Sequence, residues 1–128
     1  MTITFKVRQH FGLTSSYKCT AAVAAGNLLT LDANGQVDVA GTASTNVVGV
    51  AAETQATVGG QVTVYMGPIE CTLLTVGAVT AGATIEPAAG GAIDDTAGTA
   101  SVIDLGVALE AATAAAWIMC QINTPKYA

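Results

Sequence analysis

Residues 40–53 read AGTASTNVVGVAAE, and residues 97–110 read AGTASVIDLGVALE. The two stretches share Ala-Gly-Thr-Ala-Ser at their start, Gly-Val-Ala near their end and a closing glutamate. That glutamate is Glu53 in one and Glu110 in the other, an offset of 57 residues. Working outward, Ala22-Val23-Ala24-Ala25-Gly26 aligns with Ala78-Val79-Thr80-Ala81-Gly82, now at an offset of 56. At the same offset Asn34-Gly35-Gln36-Val37-Asp38 aligns with Gly90-Gly91-Ala92-Ile93-Asp94. Single-residue insertions in loops account for the change. An ordered run of matches that keeps both glutamates and both aspartates separates a duplication from chance agreement in Ala/Gly-rich sequence. The copies span 13–66 and 69–122, and Gly67-Pro68 is a natural breaker between them.

Each copy reads as short strands. Residues 27–32 and 37–39 flank a hairpin signal in which Asn34-Gly35 supplies the positive φ angles of a tight type I′ turn. Gly90-Gly91 does the same job after Thr84-Ile85-Glu86. A short strand follows at 47–50 or 105–108, and a closing strand at 61–65 or 117–122. In the first closing strand Val62 and Val64 alternate with Gln61, Thr63 and Tyr65. In the second, Ile118, Cys120 and Ile122 share one face, while Trp117 and Met119 make the other face apolar too, so both sides need cover. The Ala-rich run 109–116 has high helix propensity. Its counterpart, 52–60, does not, so a loop is expected. The expected fold class is all-β, with an N-terminal arm over 1–12 and a single β domain over 13–128.

The chain has 128 residues, of which 52% are hydrophobic but only 5% aromatic. Ala and Val dominate, so the core is made of small side chains. Burial stabilises by roughly 25 cal/mol per Å², and such side chains bury little, which favours association with further subunits. Charged residues make up 10%, against roughly 25% in an ordinary soluble domain. A net charge of −5 argues against nucleic-acid binding, which requires a Lys/Arg footprint. Lys6, Arg8, His10 and Lys18 concentrate the basic groups at the N-terminus of an otherwise acidic chain. That asymmetry reads either as an arm that docks on an acidic surface or as a solvated terminus. Cys19, Cys71 and Cys120 are odd in number and lack CxxC spacing, which reads as small buried thiols. The first residues lack the apolar stretch of a secretory signal, and the weakly charged run 105–122 still holds Glu110, Thr113 and Gln121. Synthesis and assembly in a cytoplasm, with no membrane partner, are the expectation.

Chemistry is sparse. His10 stands alone in the arm, and the adjacent Asp94 and Asp95 point to opposite faces of a strand. The stretch 32–38 has a superficial likeness to a calcium loop but lacks its acidic positions and terminal glutamate. No nucleophile elbow, P-loop or dinucleotide fingerprint is present. No enzyme activity, metal or cofactor is therefore expected. Glu53 and Glu110 read as loop carboxylates that accept backbone N–H bonds or meet a partner. Trp117 reads as a core filler or an interface anchor, where Trp is enriched.

Several of these segments together resemble the capsid decoration, or cement, proteins of tailed bacteriophages. They are Ala78-Val79-Thr80-Ala81-Gly82-Ala83-Thr84-Ile85, the Gly-Gly turn, Leu105-Gly106-Val107-Ala108-Leu109-Glu110-Ala111-Ala112 and the last strand ending Ile122-Asn123. Asn46-Val47-Val48-Gly49-Val50-Ala51 is similar to the earlier "vvGVA" segment of that family, and the likeness covers roughly residues 19–122. The resemblance implies a small β-sandwich or tulip-like fold and no catalytic residues. It implies self-association, with a trimer favoured and a dimer as the other form. It also implies docking on the outside of the virion capsid, where the protein stabilises contacts between major capsid subunits. Lys6, Arg8, His10 and Lys18 of the arm, with Trp117 and Met119, are the candidate partner-binding residues. Other structural roles are a tail, fibre or surface-array subunit. A cell- or glycan-binding module would require exposed aromatics in a groove.

Overall fold

A computed structural model of the chain describes residues 5–42, 44–95, 105–124 and 126–127. The second Ala-Gly-Thr-Ala-Ser, at 97–101, lies outside the described residues. The first half forms one antiparallel sheet from β2 (Thr14–Lys18), β3 (Leu28–Leu31), β4 (Val37–Val39), β5 (Asn46–Ala51) and β6 (Gln61–Tyr65). The second half forms another from β7 (Gly67–Leu74), β8 (Thr84–Ala88), β9 (Ala92–Asp95), β10 (Gly106–Ala108) and β11 (Trp117–Thr124). Their spatial orders correspond strand for strand: β2-β6-β5-β3-β4 and β7-β11-β10-β8-β9. The termini cross over. β1 (Val7–His10) pairs with β7, and β12 (Lys126–Tyr127) pairs with β5, so each terminal strand joins the sheet of the other half. The chain is all-β, a small sandwich of two antiparallel sheets.

The hydrogen bonds repeat with the residues. Val23 and Gln55 exchange reciprocal backbone bonds of 2.9 Å, and Val79 and Ala112 exchange a pair of 2.8 Å. Cys19 bridges to Val37 in parallel, and Thr75 bridges to Ile93 in the same way. These bridges link the end of the first strand of each half to its third strand, so each sheet curls back on itself around its own side chains. In the first half Val23, Leu29, Val37, Val48, Val62 and Val64 fill that space. In the second, Ile69, Leu73, Ile85, Ile93, Ile118 and Ile122 do so. The second cluster also takes in Leu28, Val47 and Val50 from the reverse face of the first sheet, which joins the halves through one core.

Curling a sheet around small side chains brings backbone close to backbone at an equivalent place in each half. A Cβ on Gly49 would sit 2.2 Å from the Tyr65 carbonyl oxygen, and one on Gly106 would sit 1.9 Å from that of Gln121. Those glycines belong to the repeated Gly-Val-Ala, which explains why glycine stands there in both copies.

Two local expectations meet different outcomes. The Ala-rich run 109–116 is a loop, pinned at Ala112 by the bridge to Val79. The tight two-residue turn at Asn34-Gly35 is instead a three-residue loop over 33–35, closed by Asp32 N–H donating to Gln36 O at 2.8 Å. The cause is Asp32, whose carboxylate accepts the N–H groups of both Asn34 and Gln36 at 2.9 Å. Of the loop residues, Gly35 takes the left-handed conformation, with φ 75°.

Gly49→Ala and Gly106→Ala are each expected to destabilise the fold by about 3 kcal/mol, because backbone rather than a movable side chain must shift. Urea melts of the two variants check this. Among the described residues, the buried hydroxyl oxygen of Thr124 has no hydrogen-bond partner. Thr124→Val should therefore raise stability by about 1 kcal/mol, read in the same melts.

Candidate partner-binding surface

The N-terminal segment lies along its own second sheet. Lys6 N–H donates to Thr72 Oγ1 at 2.8 Å, and Thr72 N–H returns a 2.8 Å bond to Lys6 O. Arg8 Nε donates to Glu70 Oε1 at 2.8 Å in an exposed ion pair, an arrangement worth at most about 1 kcal/mol. His10 Nε2 lies 2.9 Å from the Met66 carbonyl oxygen, a bond that needs the proton on that nitrogen. The His10 ring meets Tyr65 edge-on, with centroids 4.8 Å apart. Phe5 leans on Tyr65 from 6.3 Å and reaches the shared core. The basic groups at Lys6, Arg8 and His10 thus come together on β1 and the residue before it. Lys18 is apart from them, exposed at the end of β2 in the other sheet.

Trp117 is half-buried at the start of β11. Its ring covers the backbone of Gly26, where an added Cβ would lie 2.8 Å from Cη2 and 2.9 Å from the Phe5 Cβ. Trp117 therefore clamps the N-terminal segment against the first half. This cluster of Phe5, Gly26, Tyr65 and Trp117 is dispersed along the sequence, and no local pattern announces it. Met119 projects from the same outer face of β11 and is also half-buried. Its N–H donates to Glu110 Oε1 at 2.6 Å, so this loop carboxylate accepts a backbone N–H.

Around Trp117 and Met119 the outer face of the second sheet is apolar. Leu74, Val76, Val107 and Leu109 are exposed to 37%, 47%, 38% and 39%. Leu74 stands opposite Trp117 and Thr72 opposite Met119, while Val107 stands opposite Gln121. At the corresponding places the first half has Lys18 for Leu74, Thr20 for Val76, Ala52 for Leu109, Gln61 for Trp117 and Thr63 for Met119. Val50, which matches Val107, is buried in the shared core. The duplication acts as an internal control: at Leu74, Val76, Trp117 and Met119 the second copy is apolar where the first has Lys, Thr, Gln and Thr. Beside Val107 a shallow depression of about 320 Å³ is lined by Pro68, Val107, Gln121 and Asn123 over Leu105 and Ile122, with no ionisable side chain.

The cysteines are free and buried. Cys71 and Cys120 face each other across β7 and β11. Burial, with the neighbouring Cys120 sulfur adding, pushes the Cys71 thiol up to about 12. Burial, with the Glu110 carboxylate adding, does the same for Cys120. No group of three or more His, Cys, Asp or Glu side chains among the described residues is placed to hold a metal ion.

Neither a protein-family model nor a curated protein matches the chain. Among solved structures the chain is similar to the N base of the head fiber gp8.5 of bacteriophage phi29. The TM-score is 0.65 at 17% identity, covering 92% of this chain and 99% of that one. At that identity the likeness establishes a shared fold.

Two outcomes follow from these contacts. Trp117→Ala should cost about 3 kcal/mol and speed amide exchange at Thr72, because the clamp on the N-terminal segment is lost. The thiols of Cys71 and Cys120 stay protonated in the folded chain above pH 9, where the unfolded chain ionises them. Their contribution to stability is thus complete below pH 9 and lost as pH rises toward 12. Urea midpoints measured below and inside that window should fall, and should fall less in the Cys71→Ala/Cys120→Ala variant.

Proposed function

We propose that this chain is a structural protein of a tailed-phage virion that docks on the outside of the head and fastens neighbouring shell subunits. The carrying observation is the fold shared over nearly the full length of both chains with the base of a phage head fiber. The motif resemblance to capsid decoration proteins points the same way. The physical reading supplies the docking face. Leu74, Val107 and Leu109, with Met119 and Trp117, form an apolar patch, bordered by Glu110, that the matching half lacks. Apolar patches of this kind mark protein-interaction sites, and Trp117 at the rim of this one is of the type enriched among interface anchors. The partner on this reading is the major capsid protein. The basic groups of the N-terminal segment take a secondary part, since Arg8 is already paired with Glu70. Lys6 is an exposed cation of that segment left to meet acidic groups of a shell, whereas Lys18 lies on the other sheet.

The phi29 match itself favours a second reading, in which the chain is the base that seats a head fiber rather than a cement module. Both readings place the same fold on the same surface, and they differ in whether anything extends outward from it.

Undecorated expanded shells of the parent phage, mixed with the chain and imaged, test the proposal. Stoichiometric density at fixed lattice positions is expected, and absence of binding at saturating concentration removes the reading. Val107→Glu/Leu109→Glu should weaken shell binding at least about 100-fold, since two contacts of roughly 1.5 kcal/mol each are replaced by buried charge. The urea midpoint should stay within the range expected of surface changes.

A further inference from the structure

The duplication also shows what is missing from the first half. In the second half the outer edge of β7 is filled: Thr72 N–H bonds to Lys6 O and Pro68 O accepts from Phe11 N–H, at 2.8 and 2.9 Å. The even-numbered residues of β7 therefore face β1. Their counterparts in the first half, 56 residues earlier, are Thr14, Ser16 and Lys18 of β2, together with Gly12. Leu13 O accepts Met66 N–H at 2.8 Å and Cys19 N–H donates to Gly60 O at 3.0 Å, so the odd-numbered residues face β6. The N–H and C=O groups of Thr14, Ser16 and Lys18 consequently point outward. β2 ends the sheet, and among the described residues nothing pairs with that edge.

Side chains record the same vacancy. Ile69, which stands opposite His10 of β1, is 1% exposed, whereas its counterpart Leu13 is 75% exposed and neighbouring Phe11 is 73% exposed. Protein edges are ordinarily protected by bulges, prolines or inward charges. β2 has an unbroken register against β6 and the sequence Thr-Ser-Ser-Tyr-Lys, with one charge at its end. The chain's own β1 type of strand is a poor match for it. The Glu70 that receives Arg8 is replaced by Thr14, and Leu74 is replaced by the cationic Lys18.

We propose that the β2 edge is a self-association site, at which two copies pair β2 with β2 antiparallel across a two-fold axis. Any antiparallel edge can be self-complementary in this way, and the register here follows from where the edge stops. Beyond Lys18 it closes, because Thr20 N–H donates to Val37 O at 2.9 Å. The free stretch is 12–18, whose centre is Ser15. Pairing about Ser15 sets Thr14 opposite Ser16 of the partner subunit and Leu13 opposite Tyr17 of the partner subunit. Each exposed leucine then gains an aromatic cross-strand neighbour, the kind of pair that stabilises sheets. Lys18 faces Gly12 of the partner subunit, so no like charges meet. The segment 11–20 holds no carboxylate, which keeps the −5 charge of each chain away from the contact. This association is independent of shell docking, which uses the other sheet.

Sedimentation of the full chain over a concentration series, with amide exchange read in parallel, tests it. The expected result is a two-fold mass at high concentration, with the Thr14, Ser16 and Lys18 amides slowed in the dimer. Ser16→Pro removes an outward N–H while leaving the amides that face β6, a place where an edge strand tolerates proline. It should weaken the dimer at least about tenfold, as should Leu13→Glu, while Ser16→Val should retain it. If Ser16→Pro fails to fold by circular dichroism, Leu13→Glu decides. A single-chain mass at every concentration, a three-fold assembly, or a dimer unchanged in Leu13→Glu would overturn self-pairing. So would slowing of these amides only in the presence of shells.

Discussion

The structure depends on backbone passing over backbone at two equivalent glycines. At Gly49 and Gly106 a carbonyl oxygen of the closing strand occupies the space of a Cβ. That approach lets a five-stranded sheet curl tightly enough for Val, Ala and Cys side chains to fill it. A larger residue there would push the strands apart and leave a void too wide for so thin a core. The parallel bridges at Cys19–Val37 and Thr75–Ile93 are the result, since each sheet meets itself where its curl closes.

Two such units are not equal partners. The second encloses the larger side chains, with Ile and Leu where the first has Val, and it receives Leu28, Val47 and Val50 from its neighbour. The N-terminal segment then covers the β7 edge of the second unit and is held by Trp117 over Gly26. Among the described residues, the first half is left with an open edge at β2, and the second with an apolar outer face. A duplicated fold offers two copies of every surface, and the two copies here differ.

The basic groups near the N-terminus show how far charge patterning reaches. Lys6, Arg8 and His10 were open to two readings, a docking arm or a solvated end. Folded, this segment is a sheet strand: Arg8 meets Glu70, and His10 meets the Met66 carbonyl and the Tyr65 ring. Those partners lie more than fifty residues away in sequence, and only the crossing of β1 onto the other half's sheet brings them near. Trp117 is a similar case. Alternation along β11 placed it opposite Ile118, Cys120 and Ile122, on the outer face, but what covers it is a glycine and a phenylalanine from the far end of the chain.

Sequence alone determined what depends on neighbours along the chain and on repetition. The two halves, four of the five strands in each, the alternation of Val62 and Val64, and the loop over the Ala-rich run all follow from spacing and from comparing one copy with the other, whereas β2 and β7 and the order of strands in each sheet do not. The turn at 33–35 shows the limit even locally, because a carboxylate two residues upstream chose a three-residue loop over a two-residue one. Tertiary structure decided how the halves join, which terminal strand fills which edge, and which apolar residues remain outside. Those outcomes depend on contacts between residues far apart in the chain. The same Leu or Val serves as core or as surface according to whether another strand reaches it, as Ile69 and Leu13 show from equivalent positions.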